Sequence, residues 1–184
     1  TNKGPVNISL PFKSPWRAAI IGTPAEIAES MMIENLNPPS KIEDTSWIKP
    51  GVTSWTWLNG DPTNDKDTYL KYIDFSAEMG WEYVLLDEGW QPRVSGQWSY
   101  AGMYDWMDEV LEYAESKGVG LIVWSLYWDV APPDNIKRLE EWANLGIKGI
   151  KVDFFDDESQ ERLATYDAII EEAARLHLLV NFHG

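Results

Sequence analysis

The sequence predicts an α/β fold, and within that class a (β/α)₈ TIM barrel. From about residue 52 onward, short strand-like runs alternate with helical segments whose apolar positions repeat every 3.6 residues. The strand-like runs are continuously apolar, as expected for parallel strands covered on both faces. Polar and aromatic residues follow every strand, which is typical of a barrel that carries an active site at one end. A doubly wound nucleotide-binding sheet would need a glycine-rich turn after its first strand, and the sequence has none there.

Five strands and four helices are expected to alternate. The predicted strands cover residues 52–57, 83–87, 120–124, 147–153 and 178–182. The apolar helix faces between them consist of Leu70, Ile73 and Ala77; Met107, Val110, Leu111 and Ala114; Ile136, Leu139 and Ala143; and Leu163, Tyr166, Ile170 and Ala173. Three helices are expected to end at glycines, namely Gly80, Gly118 and Gly146. Because such a barrel has eight strands, the sequence is expected to supply only the first five and to be an incomplete catalytic domain.

Residues 1–51 are predicted to form a lead-in, and residues 52–184 the amino-terminal part of the barrel. Residues 14–22 look like a strand, and Pro24 opens an amphipathic helix that extends to Leu36. Pro38, Pro39 and Pro50 then mark a loop into the first predicted strand. The lead-in is expected either to plug or flank a barrel or to be the tail of a preceding domain.

Composition excludes several classes of function. The formal net charge of −15 disfavours binding to nucleic-acid phosphates. The apolar runs are too short to span a membrane. The absence of cysteine excludes structural disulfides and thiolate metal sites. The 11 tryptophans and 13% aromatic residues are explained in part by core packing, but aromatic faces are also good surfaces for binding sugars.

The residues that follow the strands form the candidate site. These residues are Trp55, Trp57 and Asn59; Asp87, Glu88 and Trp90; Trp124, Tyr127, Trp128 and Asp129; Lys151, Asp153, Asp156 and Asp157; and Asn181 and His183. They contain no standard spaced metal-ligand motif, so metal binding is weakly supported. Asp156 and Asp157 are expected to cap the next helix or to lie on the surface. His177 is expected to be structural, whereas His183 follows a strand and is a candidate for hydrogen bonding to substrate.

Asp153 is the strongest candidate for catalysis. It lies between the apolar residues Val152 and Phe154, and Lys151 shares its face of the strand. The lysine ammonium is expected to keep the Asp153 carboxylate ionised at neutral pH. Such a carboxylate suits a glycosidase nucleophile or base. A purely structural Lys–Asp ion pair is the alternative, and these residues alone leave both interpretations open.

Five segments resemble family 97 glycoside hydrolases, which are bacterial α-glycosidases related to α-galactosidases. The segments are SPWR at 14–17, DTSWIKPG at 44–51, WEYVLLDEGW at 81–90, GIKVDFFD at 149–156 and VNFHG at 180–184. The resemblance implies a central (β/α)₈ barrel between flanking β domains and an α-linked oligosaccharide or glycoside as substrate. It further implies a periplasmic or secreted protein, and calcium bound by ligands outside this chain.

The resemblance also assigns roles to individual residues. Asp153 falls on the nucleophile of the retaining branch, and Lys151 on a lysine that contacts sugar hydroxyls. The segment Asp87–Trp90 corresponds to an Asp-Asp-x-Trp motif that binds outer hydroxyls, with Glu88 as a departure from the motif. Trp57, Trp124, Asn181 and His183 are further candidates for substrate contact.

The retaining, α-galactosidase-like branch is favoured over the inverting members that act on α-glucosides. The inverting members use glutamate bases at other strand ends, and no glutamate follows the third or fifth strand here. The acid/base glutamate of the retaining branch is expected to lie outside this sequence, so the isolated chain is expected to be inactive. A carbohydrate-binding module without catalysis and a structural half-barrel are the remaining alternatives.

Overall fold

The computed structural model describes residues 7–14, 17–92 and 99–184. Its strands are β1 Thr53–Trp55, β2 Tyr83–Leu86, β3 Gly120–Leu126, β4 Gly149–Asp153 and β5 Leu179–Phe182. Its α-helices are α1 Pro24–Ala28, α2 Met32–Leu36, α3 Lys66–Met79, α4 Met107–Lys117, α5 Arg138–Asn144 and α6 Gln160–Arg175. The described residues divide into two compact units, and the boundary between them lies between Thr45 and Ser46.

All five strands are parallel and form one sheet in the order β1-β2-β3-β4-β5. One helix of the series α3 to α6 connects each pair of neighbouring strands. A doubly wound sheet reverses its strand order at a switch point, whereas a (β/α)₈ barrel adds each strand beside the last. The α/β prediction is therefore confirmed, with five consecutive strands in barrel order.

The helix ends follow from local sequence. Asp65 caps the start of α3, where its carboxylate accepts a hydrogen bond from the Thr68 backbone N–H at 2.9 Å. Gly80 ends that helix at φ 68°, and Gly118 ends α4 at φ 71°. Both values lie in the left-handed region that glycine adopts without strain, so the predicted glycine stops are confirmed at these two positions.

The core lies between the sheet and the helices. Each long helix buries a residue completely against the strands: Ile73 on α3, Val110 on α4, Leu139 on α5 and Ile169 on α6. The predicted face of α6 is right at Ala173, which is buried, and at Tyr166, which packs against the core, but wrong at Leu163 and Ile170, which are 54% and 46% exposed. The buried face of that helix instead consists of Thr165, Ile169 and Ala173, which follow one another at intervals of four residues.

Residues 7–45 differ from the prediction. No strand forms among the described residues 17–22, and residues 15 and 16 lie outside the described part. The single helix predicted from Pro24 to Leu36 is two short helices, and neither buries a residue. Thr23 and Glu26 form a reciprocal capping box at the start of α1, which stabilises one helical turn.

Residues 47–51, predicted to belong to the lead-in, lie against the amino-terminal ends of the strands. The Lys49 carbonyl accepts a hydrogen bond from the Tyr83 hydroxyl at 2.6 Å, and the Trp47 ring stacks on His177 with 5.1 Å between centroids. Tyr83 starts β2 and His177 precedes β5, so this segment contacts the end of the sheet opposite the candidate site. None of the described helices is long and apolar enough to cross a membrane.

Candidate active site

The predicted site residues lie at the carboxyl ends of the strands, and the strand register brings several of them together. Trp124 of β3 pairs with Lys151 of β4, and Lys151 pairs with Asn181 of β5. Residues paired in register across parallel strands lie on the same face of the sheet. The Cα atoms of Trp124, Lys151 and Asn181 therefore lie in one row across the sheet, and their side chains lie on the same face.

Lys151 forms a buried ion pair with Asp87. Lys151 Nζ lies 2.8 Å from Asp87 Oδ2, and the two side chains are only 6% and 4% exposed. The Trp55 indole N–H donates to the same oxygen at 2.6 Å, and the Trp55 ring centre lies 4.5 Å from the ammonium. The second oxygen, Asp87 Oδ1, accepts the Glu88 backbone N–H at 2.8 Å. Strands β1, β2 and β4 thus contribute to one charged cluster.

This ion pair corrects the prediction that the Lys151 ammonium keeps Asp153 ionised. The side chains that point into a barrel pack in layers, and each layer is built from alternate strands. Lys151 on β4 therefore meets Asp87 at the end of β2, although Asp153 lies only two residues from it along the chain.

Asp153 is held by three hydrogen-bond donors from different places in the chain. Oδ1 accepts the Phe154 backbone N–H at 2.8 Å and lies 3.0 Å from His183 Nδ1. Oδ2 accepts the Trp124 indole N–H at 3.0 Å. Burial alone raises the pKa of Asp153, but the hydrogen bonds from His183, Trp124 and the Phe154 N–H together outweigh it and lower the pKa below its ordinary value. The carboxylate is therefore ionised at neutral pH.

The backbone at Phe154 is strained. Its φ of 64° lies in the left-handed region, which costs of order 1–3 kcal/mol for a residue other than glycine. This conformation turns the Phe154 N–H back toward the carboxylate of Asp153 and leaves the Phe154 ring 44% exposed. Strain of this kind concentrates at functional sites.

Trp90 and Trp124 are internal. Trp90 is fully buried and its indole N–H donates to the Trp124 carbonyl at 2.7 Å, while Trp124 is 2% exposed. The prediction that Trp90 contacts substrate is wrong for this arrangement, because no face of its ring is accessible. Trp90 supports Trp124, which in turn orients Asp153 through its indole N–H.

The remaining predicted residues are accessible. Trp57 is 52% exposed in a short 3₁₀ turn after β1, Asn181 is exposed, and the His183 side chain is 59% exposed. Glu88 is half-buried beside Asp87. The cap of α6 is Ser159 and not Asp156 or Asp157: Asp157 accepts the Ser159 backbone N–H at 2.8 Å, and Asp156 lies on the surface, as one of the two predicted roles has it.

Phe154 was not predicted as functional, and Trp55 was placed in the candidate site without a role of its own. Trp55 donates to Asp87, and Phe154 both donates to Asp153 and exposes its ring beside it. Trp55 lies two residues before Trp57, and nothing in the sequence distinguishes the inward-facing tryptophan from the exposed one. The sequence does not predict the left-handed conformation of Phe154, because that conformation is expected at glycine and not at phenylalanine.

A further buried carboxylate, Asp129, belongs to a structural cluster. Burial raises the pKa of Asp129 above its ordinary value, against the lowering effects of the Tyr100 N–H and the Arg138 guanidinium. Arg138 Nη1 lies 3.6 Å from Asp129 Oδ1 and donates to the Asp129 carbonyl at 2.6 Å. These contacts fix the turn after β3 to the start of α5. Within the described ranges, no group of three or more His, Asp or Glu side chains is arranged to hold a metal ion.

The hydrogen bonds to Asp153 make its ionisation depend on His183. We expect His183→Ala to raise the pKa of Asp153 toward its ordinary value of about 3.9, because a donor to Oδ1 is lost. Since the pKa in the folded state is lowered, ionised Asp153 stabilises the fold above its unfolded-state pKa. That stabilisation is lost as the pH falls through the folded-state pKa. Carboxyl ¹³C NMR titration measures the shift directly.

The matched control for this titration is His177→Ala, which removes the other histidine at the opposite end of the sheet. It should leave the pKa of Asp153 unchanged. An unchanged pKa in the His183 variant would show that the ring does not donate to the carboxylate in solution.

The ionised carboxylate at the end of β4, the buried lysine and the exposed aromatic rings lie at the carboxyl ends of a parallel (β/α) sheet, which is where barrel enzymes carry their active sites. The family model for Glycoside hydrolase 97 matches residues 47–184. The chain belongs to this family, and the resemblance predicted from its sequence motifs is confirmed.

Two curated relatives carry names that agree with this family. A probable retaining alpha-galactosidase from Streptomyces bingchenggensis is 40% identical over 183 residues, which is 94% of this chain and 28% of the relative. A retaining alpha-galactosidase from Bacteroides thetaiotaomicron is 35% identical over 96% of this chain and 28% of its own length. The chain therefore spans little more than a quarter of the length of these relatives.

Solved structures show the same fold. A structure described as a beta-arabinopyranosidase has a TM-score of 0.61 at 33% identity, and the match covers 72% of this chain and 22% of that one. A GH36 alpha-galactosidase from Geobacillus stearothermophilus in complex with stachyose has a TM-score of 0.52 at 15% identity. That match covers 74% of this chain and 28% of the other, and it bears on the fold alone.

Proposed function

We propose that the protein to which this chain belongs hydrolyses terminal α-galactosides with retention of configuration, and that Asp153 is the nucleophile. The observation that carries the proposal is the hydrogen-bonding pattern of the Asp153 carboxylate. Its Oδ1 has two donors and its Oδ2 has one, so one lone pair of Oδ2 is left for an incoming carbon. The names of the two curated relatives support the same reaction.

In the first step of the proposed mechanism, Asp153 Oδ2 attacks the anomeric carbon and the bond to the leaving oxygen breaks. The leaving oxygen takes a proton from a carboxylic acid, for which we assign no residue in this chain. In the second step, water attacks the glycosyl ester, releases Asp153 and returns a proton to the acid. The donors around Asp153 keep it ionised and fix its direction, which lowers the reorganisation needed at the transition state.

The Lys151–Asp87 pair is proposed to bind sugar hydroxyls. A lysine ammonium has three N–H donors, and one of them is used toward Asp87 at 2.8 Å. The remaining donors and the carboxylate can pair with a hydroxyl that both donates and accepts. Glu88, Trp57, Asn181 and His183 complete the proposed set of substrate-binding residues, and the buried Trp124 positions Asp153 through its indole N–H.

A second candidate substrate is a β-arabinopyranoside, which is favoured by the 33% identity to the beta-arabinopyranosidase structure. A β-L-arabinopyranoside has the ring stereochemistry of an α-D-galactopyranoside and lacks the hydroxymethyl group on C5. The same nucleophile therefore serves either sugar, and the choice depends on what contacts C6. The inverting α-glucosidase reaction is the alternative within the family.

The deciding experiment compares 2,4-dinitrophenyl α-D-galactopyranoside with the matching β-L-arabinopyranoside and α-D-glucopyranoside. A good leaving group needs little help from an acid, whose loss otherwise costs roughly 10²–10⁴-fold in rate. We expect the protein to which this chain belongs to turn over the galactoside, with the α anomer as the first product in ¹H NMR. A β anomer as the first product would contradict the retaining mechanism, and preference for the arabinoside or glucoside would contradict the sugar assignment.

Two implications of the family resemblance stay predictions. A periplasmic or secreted location is one of them. The other is calcium, for which the described residues offer no ligand set, so no step of the proposed mechanism passes through a metal.

A further inference from the structure

Phe154 occupies a backbone conformation that favours glycine. Among the described residues, only Phe154 and His177 combine a side chain with a positive φ, at 64° and 58°, and glycines occupy the other positive-φ positions. Glycine would adopt this conformation without the crowding that a Cβ atom causes. The conformation of the backbone therefore does not explain why a phenylalanine is present.

Core packing does not explain the phenylalanine at position 154 either. The next residue, Phe155, is 9% exposed and packs its ring on Tyr166 and Phe182, with centroid distances of 4.0 and 5.6 Å. Phe155 thus fills the apolar space behind β4 and β5. Phe154 points the other way and remains 44% exposed.

What lies beside Phe154 is the candidate nucleophile. The Phe154 N–H donates to Asp153 Oδ1, and the Phe154 ring meets the Trp124 ring edge-on, at 6.4 Å between centroids and an interplanar angle of 87°. Trp124 donates to the other oxygen of Asp153. The exposed ring therefore forms an apolar wall next to the carboxylate whose free lone pair is proposed to receive the anomeric carbon.

We propose that Phe154 is a substrate-contacting residue whose exposed ring packs against the carbon–hydrogen surface of the glycosyl unit bound at Asp153. The proposal rests on the glycosidase function proposed above and adds the residue that holds the sugar ring. Aromatic faces bind the C–H surface of sugars while polar groups bind their hydroxyls. Here the polar partner is the Lys151–Asp87 pair and the apolar partner is Phe154.

The test combines Phe154→Gly, Phe154→Tyr and the control His177→Gly. D-galactose, which cannot be hydrolysed, is titrated by calorimetry, and the thermal midpoint is measured for each variant. Phe154→Gly removes the ring and the strain together, so its midpoint should equal or exceed that of the unmodified protein, while galactose binds about tenfold more weakly. Phe154→Tyr keeps an aromatic face and should bind within about threefold of the unmodified protein.

His177→Gly makes the same backbone change at the far end of the sheet and should leave galactose affinity unchanged. Unchanged affinity in Phe154→Gly would overturn the proposed role of the ring and leave the galactoside assignment intact. A clearly lower midpoint in Phe154→Gly would also overturn it, because the ring would then be a packing residue. Absence of galactose binding by the unmodified protein would overturn the galactoside function and the role of Phe154 with it.

Discussion

Replacing Asp153 with alanine should lower the turnover of 2,4-dinitrophenyl α-galactoside by at least about a thousandfold, because no other group can take over a lost nucleophile efficiently. Added azide should restore much of the rate, since the anion fits the space that the carboxylate leaves. The product of this rescue should be β-galactosyl azide, formed by a single displacement at the anomeric carbon. The measurement is the rate of dinitrophenolate release together with NMR of the azide adduct.

The companion variant is Asp153→Asn, which loses the charge but fills the same volume. It should be as slow as the alanine variant and should not respond to azide, because the amide blocks the path of the anion. Asp156→Ala removes an exposed carboxylate three residues further along and should leave turnover unchanged. If azide fails to accelerate the alanine variant, or if both Asp153 variants keep most of the activity, Asp153 is not the nucleophile.

The strands and the place of Asp153 were predictable because their signals are local. A short apolar run followed by a polar residue identifies both a parallel strand and its carboxyl end, and all five observed strands overlap the predicted ranges. The ends of α3 and α4 were also predictable from local sequence, because Gly80 and Gly118 follow the last apolar positions of these helices. The family motifs then favour a catalytic role for Asp153 over a structural one, a choice that the strand alone leaves open.

The partners of the site residues were not predictable, because they depend on how the sheet curves. The contact between Lys151 and Asp87 joins residues 64 positions apart, and only inward curvature brings β2 and β4 into the same layer. Trp90 follows its strand as Trp57 does, yet the loop directs one ring into the core and the other toward solvent. On α6, Ile169 and Ile170 are equally hydrophobic, so the sequence does not show which of the two faces the core. Packing against the sheet buries Ile169 and leaves Ile170 exposed.

Breaking the buried Lys151–Asp87 pair should have the largest effect on stability. Lys151→Met and Asp87→Ala are each expected to lower the free energy of unfolding by about 3–5 kcal/mol, because each leaves its partner's charge buried. The two costs should differ. Without Lys151, Asp87 keeps the Trp55 indole N–H and the Glu88 N–H. Without Asp87, the ammonium keeps, among the described residues, only the face of the Trp55 ring. Asp87→Ala should therefore be the more damaging change.

The double variant should be less destabilised than the sum of the two single changes, because it leaves no buried charge without a partner. Urea unfolding of the four proteins gives the coupling free energy directly. The exposed pair Lys117–Asp74, with 2.6 Å between charged atoms and side chains 39% and 53% exposed, is the control and should show little coupling. Equal, small costs for both buried substitutions would mean that water reaches the pair. The Lys151–Asp87 cluster would then be a solvated feature of the barrel mouth, and its proposed role in binding sugar hydroxyls would lose the desolvation that makes such contacts selective.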